Sequence, residues 1–253
     1  MHRVKVWALR LGALAVLVGA WFYATGPGEV SALVLPPLPD VLTQFFQNLG
    51  ESQTYSDALI TLSEIVLGFL IAVGSGLAVG FWCARNPVRV LVYERLLAWG
   101  YMVPLLLFYP LFITWFGIGP TSKTMFAAVT AFFPMAFNTL RGFQTVESRY
   151  LLVARAFRAS SVQTDLLVKY HAALPLVTSG VRIAAALCTT TVILTEMVAA
   201  ESGLGYELTQ ASTTFLAARL FAIVLVLFIG VGMLQFVVQR TMRARWSERS
   251  DAL

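Results

Sequence analysis

Six long apolar runs constrain this chain more than any other feature of its sequence. They cover roughly residues 7–24, 58–82, 96–116, 122–140, 178–200 and 217–239. Each run is about as long as the ~20 residues that an α-helix needs to cross the hydrocarbon core of a bilayer. Because lipid offers no hydrogen-bond partners, the backbone of such segments must be satisfied internally, as it is in a helix. The sequence therefore predicts an all-α integral membrane protein with six transmembrane helices.

Prolines make two of these six helices irregular. Pro104 and Pro110 lie in the third run, and Pro134 lies in the fourth. A proline inside a helix removes one backbone hydrogen bond and crowds the preceding turn. We therefore expect kinks or loosened ends in these two spans.

The composition agrees with lipid as the main solvent. Of the 253 residues, 58% are hydrophobic and only 12% are charged, and the mean hydropathy is +0.76. So few charges would not cover a soluble surface of this size. The net charge of +5 could indicate nucleic-acid binding in a soluble protein, but here the basic residues flank apolar runs. We expect contact with membrane lipid and no nucleic-acid partner.

The first apolar run resembles the core of a signal peptide, because basic residues precede it. Three aromatic residues at positions 21–23 end the run, and no small-x-small cleavage site follows them. We therefore expect a first helix that is retained.

The distribution of basic residues predicts the topology. A cytoplasmic N-terminus makes the segments 1–10, 83–95, 141–177 and 240–253 cytoplasmic, which is the side that basic residues favour. These segments contain Arg3, Lys5, Arg10, Arg85, Arg89, Arg95, Arg141, Arg149, Arg155, Arg158, Lys169, Arg240, Arg243, Arg245 and Arg249, and Arg182 lies near a cytoplasmic helix start. Only Lys123 and Arg219 fall elsewhere. We expect both the N- and the C-terminus in the cytoplasm.

On this topology the chain has three parts. Residues 1–57 hold the first helix and a Pro-containing periplasmic segment, residues 58–240 hold the five-helix core, and residues 241–253 form a basic cytoplasmic tail. In the periplasmic segment, the apolar spacing of residues 41–49 predicts a short amphipathic helix, with Asp40 as its N-cap.

The longest polar stretch, residues 141–177, lies between the fourth and fifth spans. Its helical periodicity predicts one or two short helices that lie against the membrane. Two interpretations remain open on the pattern alone: a solvated surface helix, or a docking element for a cytoplasmic partner.

Three stretches of the sequence are similar to one known family. They are WFGIG at 115–119 with TSK at 121–123, FFP at 132–134 with NTLRG at 138–142, and EMVAA at 196–200 with SGLGY at 202–206. In order and separation they resemble the signatures of type I ABC importer permeases, specifically the nitrate/sulfonate/taurine branch of binding-protein-dependent transporters. The resemblance covers roughly residues 35–245 and is specific for the family rather than for a substrate.

The resemblance implies a cytoplasmic coupling helix between helices 4 and 5, although the family motif is only partly kept. LVA at 152–154 replaces Glu-Ala-Ala, Arg158 replaces a Gly, and YH at 170–171 replaces the first of two Leu-Pro pairs. An ATPase-coupling role is therefore carried over only to Ala154, Arg155, Ala159, Ser160, Leu174 and Pro175.

The family also implies the function and the partners. Two permeases, which are two copies of one chain or two related chains, form a pore, and a periplasmic or lipid-anchored binding protein delivers the substrate. A dimer of cytoplasmic ABC ATPases drives alternating access. We therefore expect the permease subunit of an importer in the bacterial inner membrane, for a small solute such as a sulfonate, taurine or nitrate.

This chain itself is not expected to be an enzyme or to bind a cofactor. It has no Gly-x-x-x-x-Gly-Lys-Ser/Thr loop that could cradle phosphates, so ATP and Mg belong on the partner ATPase. Cys83 and Cys188 are isolated in or beside apolar runs, and together with His2 and His171 they have no metal-ligand spacing. No metal site is expected.

Polar residues inside the spans are candidates for function, because burying them is unfavourable. Glu196, Thr195 and Asn138 are assigned either to the substrate pathway or to a subunit seam. For the threonines at 189–191 and 195, hydrogen bonds to their own helix are the favoured interpretation. Gly76 and Gly80 predict a close approach between helices.

One alternative within transport is a self-sufficient secondary transporter or channel, which would also show six spans and intramembrane polar residues. Few ionisable groups lie in the spans, no inverted repeat is visible, and the cytoplasmic loop is long. These features favour the importer.

Overall fold

The computed structural model describes the backbone of residues 2–250 and the side chains of residues 6–165 and 167–241. These residues form α-helices without any β-strand among them, which confirms the predicted fold class. The helices are α1 (His2–Thr25), α2 (Leu38–Asn48), α3 (Ser52–Ala84), α4 (Pro87–Met102), α5 (Tyr109–Phe116), α6 (Pro120–Gln144), α7 (Ser148–Ala156), α8 (Ser161–Gln163), α9 (Tyr170–Val198), α10 (Leu204–Thr213) and α11 (Ala217–Ser250). A 3-10 turn, Leu105–Phe108, precedes α5, and a π-helical turn, Thr164–Lys169, precedes α9.

Four helical segments of the described chain are long and apolar enough to cross a membrane, rather than the predicted six. They are Val6–Thr25, Ser52–Ala84, Ser161–Val198 and Ala217–Thr241, and the bent pair α4–α5 makes a fifth if it counts as one span. The run at 122–140 does form a helix, α6, but Lys123 and Asn138 lower its hydrophobicity. Because α6 lies between α3 and α9, it is in contact with protein rather than with lipid, and its lower hydrophobicity is tolerated.

The predicted irregularity of the third span is a bend of 81° between α4 and the segment that leads into α5. Val103 ends α4 with an extended backbone, φ −67° and ψ 132°. The ring of Pro104 causes this, because a proline disfavours the helical conformation of the residue before it. Pro134, in contrast, lies inside an unbroken α6.

The predicted amphipathic helix after Pro36 and Pro37 is confirmed as α2, but the assignment of Asp40 as its N-cap is wrong. The helix begins at Leu38, so Asp40 lies in its first turn. The reason is Pro39 and its neighbours, because proline is well suited to the first positions of a helix.

The core lies where α3, α6 and α9 pack together, and small side chains dominate it. Its buried members include Ala72 of α3, Ala131 of α6 and Ala184 of α9. Such residues let helix backbones come close, which is how membrane helices gain packing contacts.

The prediction for Gly76 and Gly80 is confirmed. A Cβ at Gly80 would lie 2.6 Å from the backbone oxygen of Ala136, and one at Gly76 would lie 2.7 Å from Cβ of Met135. Both distances are far below van der Waals contact. Only glycine at these two positions allows α3 and α6 to approach as they do.

The bundle has two chemically different ends. The start of α3, the start of α6, the end of α9 and α10 meet at one end, which we call the acidic end. The end of α3, the end of α6 and the start of α9 meet at the other, the basic end. Lys123 and Arg219, the two exceptions to the predicted charge distribution, both lie at the acidic end and both pair with carboxylates.

Candidate functional site

A cluster of buried polar side chains ties the helices together at the acidic end. We call it the polar clamp, and its members are Asp57, Thr61, Glu64, Lys123, Glu196 and the backbone of residues 203–205. The side chains come from α3, α6 and α9, so this cluster joins all three core helices.

A buried cation lies in the middle of the clamp. Lys123 Nζ lies 2.6 Å from Glu64 Oε1 and 3.9 Å from Glu196 Oε1. All three side chains are at most 1% exposed. An ammonium group at such a place must be paired, because an isolated buried charge is strongly unfavourable. The two carboxylates supply that pairing from α3 and α9.

Glu196 is satisfied entirely by the protein around it. Its Oε1 accepts from Thr61 Oγ1 at 2.8 Å, and its Oε2 accepts from the backbone N–H of Gly205 at 2.8 Å. The contacts join α9 to α3 and to the loop that leads into α10. This arrangement is that of a structural tie within one chain.

The same loop is fixed by two further side chains of α3. The N–H of Gly203 donates to Asp57 Oδ1 at 2.8 Å, and the N–H of Leu204 donates to Thr61 Oγ1 at 3.0 Å. Gly203 has φ +106° and lies against the Glu196 carboxylate, where a Cβ would collide with it. The glycines of SGLGY at 202–206 are therefore required by the close approach of this loop to the clamp.

The remaining polar residues of the spans bond to their own helices. Thr189 and Thr195 donate to the carbonyls of Ala185 and Val192, which confirms the predicted back-bonding for these two threonines. Asn138 Nδ2 donates to the carbonyl of Pro134 at 2.7 Å, and its side chain is half-buried. Thr195 is thus buried in the clamp region, whereas Asn138 lies elsewhere on α6.

The sequence does not predict the roles of Asp57 and Thr61 in the clamp. Gln53, Asp57, Thr61 and Glu64 follow one another at intervals of four, four and three residues, and Gln53 donates to Asp57. That spacing places them on one face of α3. A polar helical stripe in an apolar helix is the signal that could have identified them.

A cavity of about 310 Å³ opens beside the clamp, and α10 and the start of α11 form much of its wall. Glu207 lines it together with Asp57 and Arg219. Burial, and then the neighbouring Asp57 carboxyl, raise the pKa of Glu207 from 4.5 to about 7, against the opposite influence of Arg219. Arg219 lies 4.0 Å from Glu207 and 3.2 Å from Glu51.

The predicted coupling residues lie at the basic end but do not form one cluster. Ala154 is buried and Arg155 is exposed in α7, Ala159 and Ser160 lie in the following turn, and Leu174 and Pro175 lie in the first part of α9. Ser160 caps α8: its hydroxyl accepts from the N–H of Gln163, whose side chain returns a bond to the Ser160 N–H.

Arg158 has a left-handed backbone, with φ +50°. The Arg158 N–H donates to the carbonyl of Arg155, and the Ala159 N–H donates to that of Ala154. These two bonds form the Schellman motif that ends α7, a place where glycine is preferred. The geometry explains why a glycine is usual at this position, and this chain has an arginine there instead.

The surface around this turn is apolar and uncovered. Leu152, Val153, Phe157 and Val162 are all exposed, and Phe157 is 83% exposed. Among the residues that the structure describes, no group of three His, Cys, Asp or Glu side chains could hold a metal ion.

Residues 76–246 match the sequence model of the family described as "binding-protein-dependent transport system inner membrane component", and the chain belongs to this family. The resemblance noted in the sequence is confirmed, and the chain is an ABC importer permease. A family of this kind implies an ATPase and a substrate-binding protein as partners.

Individual relatives narrow the class further. The chain is 30% identical over 242 residues to the taurine transport system permease protein TauC of Escherichia coli, covering 93% of this chain and 86% of TauC. It is also 30% identical over 224 residues to SsuC of Bacillus subtilis, a protein assigned to aliphatic sulfonate transport, covering 86% and 81% of the two chains. A solved structure of the methionine ABC transporter MetNI has the same fold, with a TM-score of 0.59 at 18% identity, over 84% of this chain and 95% of the other.

Proposed function

We propose that this permease imports a small anion across the bacterial inner membrane, with a sulfonate such as taurine as the first candidate. The relatives that act on sulfonates or taurine support the substrate class. ATP and Mg would be bound by a separate ABC ATPase, since the permease family is the membrane component alone. The observation that carries the importer assignment is the exposed apolar surface at the basic end of the bundle, because such a surface suits the docking of a separate ATPase.

The two ends support an orientation. Basic residues are retained on the cytoplasmic side of membrane proteins. The basic end has more arginines than carboxylates: Arg85, Arg141 and Arg149 pair with Asp165, Glu94 and Glu147, and Arg89, Arg155 and Arg158 are further cations there. Lys123 and Arg219 at the acidic end both pair with carboxylates. We therefore place the basic end, with both chain termini, in the cytoplasm and the acidic end at the periplasm.

In this orientation the loop of residues 141–177 is the docking surface for the ATPase dimer. Phe157 and its apolar neighbours project from the turn after α7. Apolar side chains at the centre of an interface supply most of its binding energy when they are covered. The proposed participants are Ala154 and Arg155 in α7, Ala159 and Ser160 in the following turn, and Leu174 and Pro175 in the first part of α9.

The exposed face of α9 supports a second permease chain beside this one. Arg182, Ala186 and Thr190 are exposed on it at intervals of four residues. Leu194 continues the row, and Met197 and Val198 are exposed near the end of α9, whereas α1 and α11 expose large apolar residues such as Leu17 and Phe228 along their length, as lipid-facing helices do. An arginine and small side chains suit a water-filled path between two permeases, and the positive charge of Arg182 suits an anion.

The polar clamp has a mechanical part in this proposal. It locks α3, α6, α9 and the loop before α10 at the periplasmic end, where a periplasmic or lipid-anchored binding protein would dock. We assign Glu196 and Thr195 to this structural role and keep Asn138 as a candidate for the pathway or the seam, since it is half-buried. Helices tied at one end and moved at the other form a rigid lever for alternating access.

A charge at the docking surface tests the ATPase assignment. We expect Phe157→Asp to lower the amount of ATPase that copurifies with the membrane-inserted permease by at least about fivefold, because a buried interface carboxylate would be unpaired. Val88→Asp is the matched control: Val88 is 69% exposed just after the end of α3 but lies outside the loop. Equal ATPase recovery from both variants would contradict the proposal.

Uptake tests the substrate class. Cells that carry the permease with its neighbouring transport genes should accumulate radiolabelled taurine or ethanesulfonate, and cells that lack the permease should not. Arg182→Gln should weaken uptake by about tenfold at limiting anion without lowering the amount of permease in the membrane. Uptake of a neutral or cationic solute in place of both anions would contradict the anion assignment.

A further inference from the structure

Asp165 is a buried carboxylate inside the coupling loop. It lies in the π-helical turn Thr164–Lys169 that joins α8 to α9. The residue is 4% exposed, although α8 before it and Leu167 after it are exposed. Single π-helical turns are rare and concentrate at functional positions. A carboxylate buried in such a turn needs partners for both of its oxygens.

Two cations supply them from different parts of the chain. Lys169 Nζ lies 2.8 Å from Asp165 Oδ1, one helical turn further along the same segment. Arg85 Nε lies 3.1 Å from Asp165 Oδ2, and Arg85 is the C-cap residue of α3. The first pair is local and stiffens the turn. The second pair connects the coupling loop to the cytoplasmic end of another core helix.

Arg85 is itself positioned by the helix pair α3–α6. Its guanidinium lies over the ring of Phe81, 5.6 Å from the centroid, and Phe81 stacks edge-on against Phe143 of α6 at 5.1 Å. The ion pair therefore ends on a rigid support. Close to this support, α3 and α6 are packed tightly at Gly76 and Gly80.

We propose that Asp165 is a positioning residue for transport, which passes movement of the coupling loop to α3 through its ion pair with Arg85. The loop continues directly into α9, so α9 receives the movement through the backbone. The backbone does not join the loop directly to α3. The Asp165–Arg85 ion pair is therefore the contact that connects the loop to α3. The inference rests on the proposed docking of an ATPase on residues 141–177 and names the residue that divides the movement between two helices.

Movement that reaches α3 through this ion pair should be measurable at the opposite end of the helix, in the polar clamp. Asp57, Thr61 and Glu64 belong to the same α3 but lie at its opposite, acidic end. A displacement of the Arg85 end should alter the backbone hydrogen bonds of the first turns of α3. Local loosening of the π-helical turn alone would not reach them.

Hydrogen–deuterium exchange on the complex purified with its ATPase tests the proposal. The probe is the change in exchange of residues 52–64 when ATP and vanadate are added. We expect Asp165→Asn, Arg85→Gln and the double variant to reduce this change to less than about one third of that of the unmodified complex, with the double variant no worse than either single one, because both singles break one pair. ATPase copurification is measured alongside, and the exchange response is expressed per retained ATPase, so that a loss of docking is not read as a loss of transmission.

Two controls separate transmission from local structure. Lys169→Gln removes only the local pair, so it should speed exchange of residues 161–169 and leave the nucleotide response of residues 52–64 intact. Arg89→Gln removes a cation of the same corner that lies over the Trp82 ring instead, and should change neither.

A full nucleotide response of residues 52–64 in Asp165→Asn would overturn the inference. So would an unmodified complex that hydrolyses ATP without any response of these residues, because α3 would then not receive the movement. An unmodified permease that retains no ATPase at all would instead overturn the proposed function, which keeps the two failures distinguishable.

Discussion

Lys123 Nζ lies 2.6 Å from Glu64 Oε1, and both side chains are 1% exposed. This ion pair joins α6 to α3 at the acidic end of the bundle, and Glu196 of α9 completes it from 3.9 Å. Lys123, which lies outside the segments predicted to be cytoplasmic, is thus neutralised inside the protein.

Breaking the pair from one side should destabilise the permease severely. We expect Lys123→Met to lower the free energy of unfolding by about 3–5 kcal/mol, because Glu64 would remain as an unpaired buried charge. The double variant Lys123→Met/Glu64→Met should recover most of the loss, since Glu196 keeps its bonds to Thr61 and Gly205. Thermal unfolding in detergent measures both. A double variant as unstable as Lys123→Met would show that the pair is not the cause.

The close approach of α3 and α6 predicts a contrast between two glycines of one helix. Gly80→Ala would place its Cβ 2.6 Å from a backbone oxygen of α6, which cannot rotate away, and should cost about 1–3 kcal/mol. At Gly74 nothing lies within 4 Å of a new Cβ, so Gly74→Ala should be neutral or stabilising by up to about 1 kcal/mol. Melting temperatures of the two variants give the comparison. Equal destabilisation would mean that helix approach is not the reason for glycine at position 80.

The left-handed backbone of Arg158 predicts a stabilising substitution. Arg158→Gly should raise the free energy of unfolding by about 1 kcal/mol, because φ +50° is unfavourable for a residue with a Cβ. Arg155→Gly removes an equal charge three residues earlier, inside α7, and should lower it by about 1 kcal/mol. Chemical or thermal unfolding of the two variants in the same detergent measures the opposite signs. A loss of stability in Arg158→Gly would indicate that its side chain, rather than its backbone, decides the position.

The carboxyl of Glu207 predicts a pH dependence. Its pKa is about 7 in the folded protein and near 4.5 ordinarily, so the folded state keeps a proton that the unfolded chain loses between these values. The contribution of this group therefore falls as pH rises from about 4.5 to about 7 and is constant above that. Glu207→Gln should flatten the decline of melting temperature over this range. Glu51→Gln, a more exposed carboxylate beside the same Arg219, should leave the decline in place; a flattening there as well would assign the effect to the arginine.

The sequence predicted best what depends on local pattern. The apolar runs at 7–24, 58–82 and 217–239 lie within α1, α3 and α11, the run at 178–200 ends two residues beyond α9, and Pro104 marks the bend after α4. The count of six spans exceeded the four or five that are apolar enough, because a run interrupted by Lys123 can still be helical when other helices surround it. Hydropathy cannot distinguish a helix against lipid from a helix against protein.

The clamp and the loop were harder to predict, because they depend on contacts between distant residues. Thr61 and Glu196 are separated by 135 positions, and Arg85 and Asp165 are separated by 80. The sequence marks Glu196 as an intramembrane acid, but only its contacts with Thr61 and Gly205 indicate a structural role. The positive φ at Arg158 is indicated only by the glycine that is usual at this position of the family motif, because arginine itself does not favour it.

The most direct test of the importer assignment is the composition of the assembly in its native membrane. The tagged chain, purified in mild detergent and analysed by quantitative mass spectrometry, should carry two copies of a P-loop ATPase for two permease chains. A stable assembly that lacks any ATPase and moves solute by itself would contradict the account and favour a secondary transporter.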